Sequence, residues 1–134
     1  MKRVFVLGLA IVAASAAQAE PARVTISGRV DGTSGKSPVY IALWQSDGFL
    51  ERPVRQVRVE SGNVPAFSFA VAPGRWAVSA FEDRNQNGVL DMGLFGPKEP
   101  TGFWHPFTAW RKPKFEDVAV LMSRDVRDAN ISLK

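Results

Sequence analysis

The sequence predicts a small all-β domain: an antiparallel β-sandwich of about seven strands, immunoglobulin-like or prealbumin-like, with one long ordered loop. Three observations predict it. Apolar residues alternate in short runs, and no long stretch keeps the helical spacing of 3.6. The runs are separated by Gly, Ser, Asp and Pro turn signals, the pattern of a sandwich or barrel. A chain of 134 residues also leaves room for one domain only.

The expected strands follow in order. Arg23 to Val30 sets Val24, Ile26, Gly28 and Val30 on one face, and Asp31 to Lys36 is a turn by composition. Val39 to Trp44 aligns Val39, Ile41 and Leu43 before Ser46-Asp47-Gly48 ends the run. Val54 to Val59 is interleaved with arginines, which marks an edge strand. Ala66 to Val71 alternates through Phe67 and Phe69, Pro73-Gly74 turns the chain, and Arg75 to Phe81 returns with Trp76, Val78 and Ala80 on one side. Val118, Val120 and Met122 alternate again, as do Ile131 and Leu133, and a short helix fits Ser123 to Asp128. Between Asp83 and Lys114 the chain is rich in Gly, Pro and aromatics without clear strand alternation. A loop of that length in a small domain is commonly functional, and its aromatic content calls for a packed conformation.

Residues 1–19 read as a signal peptide ahead of a domain at 20–134. Lys2 and Arg3 form a positive start, an apolar run follows, and Ala17-Gln18-Ala19 is the small-x-small site that places cleavage before Glu20. The expected location is the periplasm or the extracellular space, with no transmembrane segment in the mature protein. Loss of Lys2 and Arg3 leaves fifteen basic against thirteen acidic residues, net +2 with both signs interspersed. That is an ordinary surface without the basic stripe of a nucleic-acid binder. Cysteine is absent, so disulfides, thiol nucleophiles and thiolate metal sites are excluded.

The chemistry concentrates at Asp83-Arg84-Asn85-Gln86-Asn87-Gly88-Val89-Leu90-Asp91, which reads D-x-N-x-N-G-x-x-D. Oxygen side chains at loop positions 1, 3, 5 and 9, a glycine at 6 and a backbone carbonyl at 7 are the first part of an EF-hand-type calcium loop. The expected calcium ligands are therefore Asp83, Asn85, Asn87, Val89 and Asp91. Position 12 is Leu94, where an EF-hand carries a bidentate Glu; Glu99, Glu116 or Asp117 are further donors if the long loop folds back. The same spacing also suits a metal-free turn held by Asx hydrogen bonds. Two carboxylates and two amides carry little charge, which places calcium affinity in the weak extracellular range of roughly 10⁻⁴–10⁻³ M.

Other chemistries find little footing. Gly35-Lys36-Ser37 imitates the end of a phosphate loop but lies between strands. His105 is the single histidine, so neither a Ser-His-Asp triad nor a zinc site is recognisable, and no catalytic constellation stands out. Trp104, His105 and Trp110, within the aromatic loop 103–110, read either as a lid over one part of the sandwich or as a platform for a carbohydrate or peptide.

These residues together resemble a bacterial family, domain of unknown function 2141. The resemblance rests on Val24-Thr25-Ile26-Ser27-Gly28, Ile41-Ala42-Leu43 with Ser46-Asp47-Gly48-Phe49, and Pro73-Gly74-Arg75-Trp76-Ala77-Val78 running through Phe81 into the Asp83–Asp91 loop. It continues in Gly96-Pro97-Lys98-Glu99, Gly102-Phe103 and Phe115-Glu116-Asp117. It implies an exported β-sandwich without an assigned activity. The first expectation is a non-enzymatic module stabilised by calcium, with a structural or binding role toward a glycan or an envelope protein. The alternatives are a carbohydrate- or peptide-binding protein using the aromatic loop and a small hydrolase using loop carboxylates.

Overall fold

The structure is a computed structural model and describes residues 22–134. The expected signal peptide at 1–19 and the expected cleavage before Glu20 lie outside the described residues. The described residues fold into ten strands and one short helix: β1 (Val24–Asp31), β2 (Val39–Trp44), β3 (Arg55–Val59), β4 (Ala66–Val71), β5 (Gly74–Glu82), β6 (Met92–Gly93), β7 (Gly96–Pro97), β8 (Thr101–Phe103), α1 (Phe115–Val118), β9 (Val120–Met122) and β10 (Ile131–Ser132).

Two sheets carry the fold. One has the order β10-β1-β4, with β10 parallel to β1 and β4 antiparallel to it. The other has the order β3-β2-β5-β8, and β9 pairs with β5 as well. Alternate residues of both sheets meet in one core: Ile26, Val30, Phe69 and Val71 from the first, Ile41, Leu43, Trp76, Val78 and Met122 from the second. This is the all-β sandwich that the period-two pattern demands. The extra strands beyond the expected seven are the short ones β6, β7 and β8, all inside the long loop.

The expected strands 39–44 and 66–71 form as expected, and β3 is an exposed sheet edge. No helix forms at Ser123 to Asp128; that segment runs beside β1, where Ser27 N–H donates to Val126 O at 2.8 Å and Val126 N–H to Thr25 O at 2.9 Å. The helix lies earlier, at 115–118, where the Asp117 carboxylate caps the Lys114 N–H at 2.7 Å.

β5 organises the second sheet. One edge pairs with β2 and the other with β8 and β9 in succession. Its outer face carries Ala77, and with Ala42 and Trp44 of β2 it forms a second apolar cluster covered by Phe115 and Val118 of α1. Phe103 and Phe107 pack against this cluster, so the aromatic loop is a cover for the outer face of the sheet. Trp104 packs against the main core, whereas Trp110 is 98% exposed.

The two sheets are also laced together along one side. Thr101 of β8 and Lys134, just past β10, exchange backbone hydrogen bonds of 3.3 and 3.1 Å. This closeness requires Gly102, because a Cβ there would lie 2.3 Å from the Ser132 carbonyl oxygen.

Three outcomes follow from this packing. Gly102→Ala is expected to destabilise the domain by about 3 kcal/mol, as overpacking against backbone does, whereas Gly35→Ala, with φ +75° and open space around it, should lose only about 1 kcal/mol. Denaturant unfolding of both variants checks the contrast.

Trp104→Ala should lose about 2 kcal/mol, less than a fully buried Trp because the ring is half exposed, and Trp110→Ala less than about 0.5 kcal/mol. Equal losses in chemical unfolding would contradict the lid.

The Arg111 guanidinium, at 2.7 and 2.9 Å, and the Lys114 N–H hold the Asp117 carboxyl down at about 2. Its contribution to stability is complete above the unfolded carboxyl range near ~3.9 and disappears as pH falls through the folded value. Asp117→Asn should therefore melt below wild type at neutral pH and converge with it near pH ~2, as followed by melting temperature against pH.

Candidate cation-binding loop

β5 ends at Glu82 on the inward-facing register of Trp76, Val78 and Ala80, and this fourth inward position is a carboxylate fully removed from solvent. Burial pushes the Glu82 carboxyl up, but the Ser34 hydroxyl, the Ser34 N–H at 2.7 Å and Arg84 at 3.5 Å outweigh it and hold the group below the usual carboxylate range. Glu82 thereby fastens the turn after β1 to the start of the Asp83–Asp91 loop. A charged residue in the core register of a strand is the sequence signal that marks it.

The loop curls tightly from this anchor. Gly88 adopts φ +80°, the left-handed conformation that favours glycine, and Gln86 adopts φ +57°, which is costly for a residue with a side chain. Asp83 is 1% exposed. Its Oδ2 accepts the Gly88 N–H at 2.8 Å, while its Oδ1 is buried and has no hydrogen-bond partner. Asn85 Oδ1 accepts the Asn87 N–H at 3.3 Å, and Asn87 Oδ1 accepts the Val89 N–H at 3.1 Å. The Asn85 side-chain amide donates to Asp91, and that of Asn87 donates to both Asp91 oxygens at 2.9 and 3.1 Å. These amide donors hold the Asp91 carboxyl below its ordinary range.

Of the further donors, Glu99 alone comes to the loop, and it does so as a clamp. Its Oε2 accepts the Arg84 N–H at 2.6 Å and its Oε1 the Asp91 N–H at 3.1 Å, so one buried carboxylate ties both ends of the loop together. Glu116 and Asp117 belong to α1, which packs near Ala77, whereas the loop leaves β5 at Glu82. Five residues of extended strand separate those points, roughly 17 Å. Asp117 is moreover engaged by Arg111. Leu94, at the twelfth loop position, stands on the tip of the β6–β7 hairpin and is 92% exposed.

Among the described residues no three carboxylate, imidazole or thiol groups converge in a metal-binding cluster. A cation here must draw on two carboxylates together with amide and carbonyl oxygens, each of which keeps a second lone pair beyond its hydrogen bond. That donor set is hard and oxygen-only, which suits calcium and excludes soft-metal chemistry. Of the aromatic-loop residues, Trp104 is half buried against the core, whereas His105 and Trp110 are exposed.

No curated protein and no solved structure matches the chain. A family model described as an uncharacterized protein conserved in bacteria, DUF2141, matches residues 24–130, from the first residue of β1 to the residue before β10. The match takes in every strand but β10, the acidic loop and its Glu99 clamp, and the chain is a member of the DUF2141 family.

Proposed function

We propose that this protein is an exported, non-enzymatic β-sandwich module whose Asp83–Asp91 loop binds one calcium ion, and that it has a structural or binding role in the periplasm or outside the cell. The observation that carries the metal reading is Asp83 Oδ1, a carboxylate oxygen buried without a partner while Oδ2 is held by Gly88. A buried, unpaired carboxylate oxygen is costly unless a cation satisfies it. Asn85, Asn87, the Val89 carbonyl and Asp91 supply the remaining donors, and Glu99 keeps the loop in shape from behind. Export is supported by the leader pattern of residues 1–19.

Calcium has a modest effect in this reading. With a dissociation constant of roughly 0.1–1 mM and ~1 mM free calcium, binding stabilises the folded state by ~0.4–1.4 kcal/mol. Thermal melting in millimolar calcium and in chelator is expected to differ accordingly. The difference should vanish in Asp83→Ala and in Asp91→Ala and persist in Glu51→Ala, a surface change elsewhere. Identical melting of folded wild type in calcium and in chelator would falsify the metal reading.

A further inference from the structure

Asp91, the last donor of the loop, is followed directly by the β6–β7 hairpin, whose turn is Leu94-Phe95. Both residues are 92% exposed, and Val89 and Met92 beside them are exposed as well. Hairpin turns are normally built from Asn, Asp and Gly. Here Gly96, at φ +119°, takes the positive-φ position, and neither Leu94 nor Phe95 has a positive φ. Turn geometry therefore does not call for these two side chains, and they contribute nothing to the core.

An open cleft of about 410 Å³ lies at the foot of this tip, lined by Arg84, Asn85, Asp91, Met92, Lys98 and Glu99. The Lys98 stem lies across the hairpin, within 3.1 Å of where a Cβ on Gly93 would stand, and Lys98 N–H donates to Asp91 O at 2.8 Å. The loop, the cleft and the tip are thus one hydrogen-bonded unit. Resting on the calcium reading above, we propose that this unit docks on an anionic lipid surface when calcium is bound, with Leu94 and Phe95 entering the bilayer interface and a lipid phosphate occupying the cleft.

Shape, coordination and charge select this occupant. A two-residue apex with bare apolar side chains is convex and suits insertion among headgroups, where Leu and Phe anchor interfacial elements. The loop supplies five donors, whereas calcium takes six to eight, and the bidentate Glu that would complete the shell is replaced by Leu94. Oxygens from outside the loop, water among them, fill the remainder, and a lipid phosphate is a hard oxygen ligand that can displace such water. Asp91 and Glu99 line the cleft beside Arg84 and Lys98, so it offers an anionic headgroup no excess of positive charge until a divalent ion supplies it.

Cosedimentation of the mature protein with vesicles tests this, using equal parts phosphatidylcholine and phosphatidylglycerol beside pure phosphatidylcholine, each in millimolar calcium and in chelator. Wild type should pellet with the anionic vesicles in calcium and remain in the supernatant otherwise. The double variant Leu94→Ser, Phe95→Ser should bind about tenfold more weakly while keeping the calcium shift in melting. Wild type that melts higher in calcium yet stays in the supernatant with both vesicles overturns lipid docking and leaves calcium binding standing; a tip that serves a protein partner gives this result. Equal pelleting in chelator overturns the calcium dependence, and undiminished binding of the double variant overturns the role of the tip. Absence of any calcium effect on melting overturns the calcium reading itself.

Discussion

β5 is the strand on which the other parts depend, because it is committed on both faces and both edges. Its inner residues Trp76, Val78 and Ala80 enter the main core, and Ala77 on its outer face enters the second cluster under α1. β2 occupies one edge, while β8 and β9 share the other. A nine-residue strand held this way cannot slip in register without exposing apolar surface on two sides. Its end is therefore a fixed point, and Glu82 and Asp83 are delivered there. The short turn from β4 at Pro73-Gly74 helps set the register, as does the Trp76 indole N–H, which donates to Ala72 O at 2.9 Å.

The loop inherits its rigidity from that end. Two buried carboxylates face opposite tasks within two residues. Glu82 is fully satisfied by Ser34 and Arg84 and closes the sandwich, whereas Asp83 keeps one oxygen unpaired. Glu99 is a third buried carboxylate, and its bonds to the Arg84 and Asp91 N–H groups return the chain to the loop after the hairpin. Roles are thus separated by residue: Glu82 and Glu99 are used up in shaping the loop, Asp91 is held by the Asn85 and Asn87 amides, and Asp83 keeps one oxygen without a partner.

Much of this was legible in the chain itself. Strict alternation across Ala66–Val71 is unambiguous because one face of that strand is apolar, Val39–Trp44 is an apolar run buried on both faces, and the arginines of β3 marked it as an edge. The donor spacing of the loop was readable because alternate residues of a curled loop converge. The rest depends on contacts distant in sequence. α1 has four residues, too few to show helical periodicity, and its cap depends on Asp117. The pairing of Thr101 with Lys134 leaves only a glycine as its trace. Glu99 reads as a spare ligand by residue type, and only its two backbone donors reveal it as a clamp. Trp104 and Trp110 look alike in sequence, yet one packs on the core and the other stands in solvent.

The functional reading turns on binding at the loop, which calorimetric titration of calcium into the protein spanning residues 20–134 measures. Titration should show a single saturable site with a dissociation constant of roughly 0.1–1 mM, as a low-charge oxygen loop should have, and its loss in Asp83→Asn, which keeps the side chain's shape and removes its charge. A folded wild-type protein that takes up no calcium at millimolar concentration, or an Asp83→Asn variant that binds as wild type does, would contradict it.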